Sequence, residues 1–237
     1  MRYNITCIEC TKQKKEYGEF TVHVSPNNEG VYNVKCPNGH LFNIDILSHH
    51  FQVLFENGIH ALSEDYYIES FVSFATSYER FIEYFLNVVL KSNEVSETEF
   101  DITWKELARQ SERQVGAFYL VYLQEFKEKP NQLSTKNKEL RNSIIHKGHL
   151  PTKEDCIKFG DNVLEIIRHI IKRLKTHKKY KKELIGSVNH TGDFENRQLN
   201  YHYLPYQIFA INRTINHTES KSITDFLEEH KITKNKA

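Results

Sequence analysis

Four metal-ligating side chains fall in the first 40 residues as two close pairs, and this pattern constrains the fold more than any other feature of the chain. Cys7 and Cys10 form a Cys-x2-Cys pair, and Cys36 and His40 form a Cys-x3-His pair. Two such pairs, separated by a stretch that reads as strands and a turn, can converge on one tetrahedral ion. Thiolate and imidazole together suit zinc. Pro37-Asn38-Gly39 supplies the turn that folds the second pair around the ion. His23 offers an alternative fourth ligand. With four protein ligands no position is open to water, so the zinc is expected to be structural, and no catalytic metal is expected. The first fifteen residues, MRYNITCIECTKQKK, lack the apolar core of a signal peptide. No apolar run approaches the roughly 18 residues that a membrane span needs. A cytoplasmic protein with no membrane partner is therefore expected, in a compartment where thiols hold metals more often than they pair. Cys156 lies on an apolar helix face and reads as plain core.

Around these ligands the pattern is that of short strands. Phe20, Val22 and Val24 alternate with polar residues, residues 26–30 (Pro-Asn-Asn-Glu-Gly) read as a turn, and Val31 to Val34 runs back towards Cys36. This predicts one hairpin between two cysteine-bearing corners. Residues 1–45 resemble a zinc ribbon of the Cys3His type, with His40 in place of the usual last thiolate.

From about Asp45 the apolar period becomes helical. A helix is predicted from Asp45 to Glu56, stopped near Gly58. Ser63, Glu64 and Asp65 read as the start of a long helix whose stripe runs from Ile68 through Phe71, Val72, Ala75, Tyr78, Ile82, Phe85 and Leu86 to Val89. A polar loop over 92–101 and a short helix over 103–110 follow. Another helix is expected over 111–129, with Val115, Phe118, Tyr122 and Phe126 inward and Pro130 closing it. Two more are expected over 134–147 and 153–178, the first ended by Gly148, the second opened by a Thr152–Asp155 capping box and carrying Gly160 at a mild cost. The fold class is thus mainly α: a helical bundle over 46–185, a small β unit before it, and a C-terminal extension over 186–237. In that extension Tyr201, Tyr203, Tyr206, Ile208 and Phe209 suggest strands or a packed arm, and 223–230 a short helix.

Residues 138–151 read Lys-Glu-Leu-Arg-Asn-Ser-Ile-Ile-His-Lys-Gly-His-Leu-Pro. Asn142 and His146 stand at i and i+4 and share a helix face. Arg141 lies roughly 140° round from His146 and points along the edge of that face. His146 falls in the last turn before Gly148, from which its ring can reach a cleft. The Arg-Asn-x3-His motif, the Gly148 and Pro151 that follow, the long apolar helix after them and Glu79-Arg80 on the preceding aromatic-rich helix resemble a HEPN domain over roughly 65–180. The resemblance implies a helical bundle that dimerises and sets two Arg-x4-His motifs across one cleft. Many members are metal-independent ribonucleases of toxin–antitoxin or phage-defence systems, and others only bind or scaffold. By this resemblance His146 is the acid/base, Arg141 the phosphate clamp, Asn142 the orienter and Glu79 a supporting residue. The residue types suit RNA cleavage by the 2′-hydroxyl. Histidine exchanges protons near neutral pH, and a guanidinium stabilises the charge that develops on phosphorus oxygens.

The net charge is +1, which excludes a globally basic nucleic-acid binder, but the charge is segregated. Residues 61–130 carry 7 basic and 13 acidic groups, and residues 131–185 carry 14 and 6. Eight cations fall within 168–182: Arg168, Lys172, Arg173, Lys175, Lys178, Lys179, Lys181 and Lys182. They read either as an RNA backbone track or as a cationic helix end that pairs with the acidic segment. Tyr201, His202, Tyr203 and Tyr206 offer rings for unpaired bases or for packing. The reading that gathers these features is an endoribonuclease acting as toxin or phage-defence effector, with RNA as substrate, a homodimer as the working form and an antitoxin or sensor protein as further partner. Its rivals are a non-catalytic HEPN-like dimerisation or sensor module that binds RNA or protein, and a DNA-binding ribbon protein.

Overall fold

The computed structural model describes residues 2–13, 18–25, 27, 28, 30–46, 49–186, 199–202, 208, 209, 211 and 220–234. The fold is mainly helical, with a small β unit at the N-terminus.

The β unit consists of two antiparallel hairpins. Strand β1 (Arg2–Thr6) pairs with β2 (Glu19–His23), Arg2 opposite His23 and Thr6 opposite Glu19, with the short helix α1 (Ile8–Lys12) between them. Strand β3 (Val31–Lys35) pairs with β4 (Leu41–Ile46), Lys35 opposite Leu41. The predicted hairpin between the Phe20–Val24 and Val31–Val34 segments does not form. Each cysteine corner is instead the turn of its own hairpin. The reason is geometric: two ligand pairs reach one point only if two separate turns are brought face to face. Ile5, Val24, Val34 and Ile44 pack into a small core of their own. Asn27 steers the crossing between the hairpins, its Oδ1 accepting the Gly30 N–H at 2.7 Å. A third strand, β5 (Leu199–His202), comes from the C-terminal extension and lies parallel beside β4, Ile44 opposite Asn200. Tyr201 and His202 thus lie on this strand, while Tyr203 and Tyr206 lie outside the described residues.

The bundle begins with α2 (His50–Ser63) and α3 (Tyr67–Ser92), joined by a three-residue turn with Asp65 at φ +62°. The helix predicted over Asp45–Glu56 starts and ends later: Asp45 and Ile46 belong to β4, and α2 continues past Gly58 to Ser63. Gly58 is interior because a ring approaches it: a Cβ there would stand 2.6 Å from Cε1 of Phe74 on α3. On the far side of the same ring, a Cβ at Gly160 would stand 2.9 Å from Cε2. Phe74 is fully buried and wedged between two helix backbones. Each helical glycine is intrinsically unfavourable by about 0.5–1 kcal/mol, and the close packing it admits offsets that.

The predicted polar loop is shortened by α4 (Glu97–Leu107), which starts early because the Ser96 hydroxyl accepts the Glu99 N–H at 3.2 Å. Helix α5 (Ser111–Phe126) stops before Pro130, at Lys127 with φ +60°. Helix α6 (Thr135–Lys147) is capped by Ser134 and closed by Gly148 at φ +70°. Helix α7 (Lys153–Lys175) opens on the Thr152–Asp155 box. A 3-10 turn (Lys178–Tyr180), α8 (Lys181–Gly186) and α9 (Ile223–Lys234) complete the described elements. Asp161 of α7 accepts the Ile223 N–H at 2.8 Å, and Ile223 packs beside Gly160, so the C-terminal helix is anchored on the bundle. One apolar core joins every helix from α2 to α9. Among the described residues no helix is long and apolar enough to cross a membrane.

Candidate metal centre and candidate catalytic cleft

Cys7 is the N-cap residue of α1 and Cys10 sits one turn on, so a single short helix turn aims both sulfurs the same way. On the second hairpin the turn closes through the Gly39 N–H to Cys36 O (2.9 Å) and the Cys36 N–H to His40 O (3.0 Å), with Gly39 at φ +88°. The two corners meet. His40 Nδ1 lies 3.6 Å from Cys7 Sγ, 3.3 Å from Cys10 Sγ and 3.4 Å from Cys36 Sγ, and the Cys10 and Cys36 sulfurs are 3.7 Å apart. For zinc bonds of about 2.3 Å to sulfur and 2.0 Å to nitrogen, a tetrahedron has edges of about 3.8 Å between sulfurs and about 3.5 Å from sulfur to nitrogen. Four of the six donor–donor separations thus stand at the values such an ion requires, and all four donor atoms lie within 4.8 Å of one another.

The surroundings favour thiolates. The three cysteines are at most 3% exposed. The His40 backbone N–H points at Cys36 Sγ (3.3 Å), and the Asn38 side-chain amide donates to Cys10 Sγ (3.2 Å). Burial opposes ionisation of Cys36, but the His40 N–H, Cys10, and the Asn38 N–H outweigh it and draw the thiol from 9.0 down to about 6. Burial raises the Cys10 thiol. His23 is no ligand. It is exposed and sits opposite Arg2, at the far end of β2 from the cysteine corner. Asn38 is the contributor that spacing alone did not reveal, since its role depends on a sulfur 28 residues away. Cys156 is core: burial raises its thiol to about 11, and its Sγ donates to the Tyr67 carbonyl at 3.2 Å.

The second site lies on α6. Arg141 is largely covered and forms an ion pair with Glu79 of α3, while its other terminal nitrogen stands 3.5 Å from Asn142 Oδ1. Arg141, Asn142 and Glu79 line a cavity of about 360 Å³ together with Tyr78, Ser111, Glu112, Val115, Gly116, Tyr119, Leu133 and Lys138. Tyr119 donates to Gln132 Oε1, and the Lys138 ammonium donates to the same oxygen at 3.0 Å, which ties two walls together. Burial, reinforced by Tyr119, pushes the Tyr78 hydroxyl well above its usual range, so it stays a proton donor. His146 is exposed on the last turn of α6 and does not line this cavity. The structure thus joins Arg141, Asn142 and Glu79, and leaves His146 on the open surface beyond them.

The eight cations divide. Arg168 donates to the Lys221 carbonyl at 2.6 Å and lies over the Phe226 ring, so it holds the C-terminal helix. Arg173 pairs with Glu128 at 2.9 Å, and Lys179 pairs with Glu125. Those two partners belong to the acidic 61–130 segment. Lys182 stands 3.9 Å from Glu183 and is almost wholly exposed, and Lys172, Lys175, Lys178 and Lys181 are exposed as well.

No family model, no curated protein and no solved structure matches the chain.

Proposed function

We propose that the chain is a metal-independent endoribonuclease on a HEPN-like bundle, acting as a toxin or phage-defence effector, with a zinc ribbon as a structural and recognition module. The observation that carries this reading is the disposition of α6: Arg141 is held by Glu79 at the edge of a cavity, Asn142 stands beside it, and His146 is free on the following turn. A guanidinium fixed in this way loses less rotamer freedom when it binds phosphate. A solvent-reaching imidazole next to it is placed to move protons. In the reaction a base removes the 2′-hydroxyl proton, the 2′-oxygen bonds to phosphorus, the bond from phosphorus to the 5′-oxygen breaks, and that oxygen takes a proton. The products are a 2′,3′-cyclic phosphate and a 5′-hydroxyl. A single chain offers one His146, and a homodimer that faces two α6 ends supplies the second proton-transfer group. The exposed lysines at 172, 175, 178, 181 and 182 then serve the RNA backbone, and an antitoxin or sensor protein is the natural controlling partner.

The non-catalytic reading draws support from the same ion pair, because a largely covered Arg141–Glu79 contact can simply brace α6 against α3. Cleavage of RNA in excess EDTA separates the two. His146→Ala and Arg141→Ala are each expected to lose roughly 10²-fold or more in rate with an unchanged fold, and 2′-deoxy substitution at the cut site should block cleavage. Wild-type rates in His146→Ala would end the catalytic reading. Unfolding of Arg141→Ala together with wild-type cleavage by His146→Ala would establish the brace.

A further inference from the structure

Three glycines interrupt long helices of the bundle, and two of them are accounted for by Phe74. The third, Gly116 in the middle of α5, is not. A Cβ built on it meets nothing within 4 Å. A glycine at a mid-helix position is unfavourable, and here no packing demand compensates. What the missing side chain does is leave open the cavity beside Arg141, of which Gly116 forms part of the wall.

The rest of that wall has a definite chemistry. Glu112, Val115, Gly116 and Tyr119 are one face of α5, and Tyr78 and Glu79 of α3 stand against them. Tyr78 is only 5% exposed and lines the cavity. Its hydroxyl is reached by solvent rather than sealed in the core, so it is available to the polar edge of a ligand. The four charged lining residues, Glu79, Glu112, Lys138 and Arg141, cancel, so the cavity does not select an anion. Its volume of about 360 Å³ falls at the lower end of small-molecule sites. Two tyrosines, a bare stretch of helix and mixed donors and acceptors suit a flat, neutral ring with hydrogen-bonding edges.

We infer that this cavity receives an unpaired nucleobase, which inserts over Gly116 between α3 and α5 while its phosphate stays outside near Arg141. The inference rests on the ribonuclease reading and extends it: the cavity chooses the nucleotide next to the cut, and Gly116 and Tyr78 are the residues that determine specificity. Recognition by stacking and edge contacts is how proteins take up single-stranded bases in general.

The test is binding of adenosine 3′-monophosphate to the full chain, followed by the backbone amide signals of Gly116 and Tyr119, with ribose 5-phosphate as the control that lacks a base. Saturable binding of the nucleotide and none of the control is expected. Gly116→Leu, which fills the cavity, should weaken binding at least tenfold while raising Tm through better helix propensity. Tyr78→Phe, which keeps the ring and removes the hydroxyl, should weaken it several-fold. Equal binding of nucleotide and control, or unchanged binding by Gly116→Leu, overturns the inference. The readout does not depend on cleavage. A protein that binds the nucleotide but leaves RNA intact keeps the pocket and loses the nuclease. A protein that cuts RNA at the same positions and rate with Gly116→Leu as with wild type keeps the nuclease and loses the pocket.

Discussion

The ribbon and the bundle solve the same problem with different means. The ribbon's own apolar core consists of four buried side chains, Ile5, Val24, Val34 and Ile44, with Phe20, Val22, Tyr32 and Phe42 half-buried around them. A unit of that size cannot bury enough apolar surface to overcome the conformational entropy of its chain. Its three cysteines and His40 gather instead as a donor cluster fit to hold a metal ion. In the bundle the apolar core is continuous from α2 to α9 and includes twelve side chains on α7 and α9 alone that are at most 6% exposed. Among its described residues there is no metal-ligand cluster, and its single cysteine is a buried thiol hydrogen-bonded to a carbonyl. The ribbon's fold is therefore expected to be conditional on an ion, whereas the bundle's is set by packing.

The sharpest way to break this comparison is to remove the metal. About one zinc per chain is expected, and Cys36→Ser or an aggressive chelator should release it. Because binding energy is folding energy in such a unit, on the order of 10–16 kcal/mol for zinc-dependent peptides, amide protection should vanish over residues 2–46. Protection over the helices from α2 to α7 should persist. Loss of both regions together would show that the ribbon is part of the bundle's cooperative unit. Acid gives a graded form of the same experiment. The Cys36 thiol is drawn from 9.0 to about 6 in the folded ribbon, so the stabilisation from its thiolate is complete above about pH 9 and declines as the pH falls through 6. Zinc affinity measured against a chelator should fall as the pH is lowered, because protons compete with the ion for the thiolates and the imidazole. An affinity that does not change with pH would show that these side chains do not hold the ion.

The reciprocal break is at Phe74. Phe74→Ala leaves a void between α2 and α7 and should lower bundle stability by about 3–5 kcal/mol in denaturant titration. The zinc content should not change. Gly160→Ala attacks the same contact from the other side, forcing a methyl group against the ring, and about 1–3 kcal/mol is the expected loss. If that variant is more stable than wild type, the ring moves aside and the wedge is not rigid.

A smaller effect sharpens the bundle side of the comparison. Thr152 accepts the Asp155 N–H, and Asp155 accepts in return from Thr152. Thr152→Ala should cost about 1 kcal/mol, with no effect on the metal. These backbone and side-chain bonds from Thr152 hold the Asp155 carboxyl below its usual value. The capping contribution is therefore present above the ordinary carboxylate range and is lost as the pH drops below it. A Thr152→Ala variant whose Tm matches wild type at pH 7 would show that packing alone fixes the start of α7.

Much of this architecture is written in residues that lie close together in the sequence. The Cys7–Cys10 and Cys36–His40 pairs, the Ser134 cap, Gly148 and the Thr152–Asp155 box are each decided within a few residues, because a turn, a cap or a ligand bite involves atoms only one helical turn or hairpin apart. The bounds of α6 and the start of α7 were legible for that reason. Where the structure departs from the local pattern, the deciding partner is remote. Gly58 resembles a helix stop until Phe74 is placed against it. Phe20–Val24 and Val31–Val34 resemble one hairpin until the metal corners demand two. Glu79 meets Arg141 across 62 residues of chain, and β5 joins β4 from the C-terminal extension. Gly116 and Tyr78 acquire meaning only from the cavity they share. Local hydrogen bonding and backbone preference act over three or four residues and can be read from composition and spacing. The choice of which surfaces are buried against each other depends on the shape of the whole chain, and only the tertiary structure makes it.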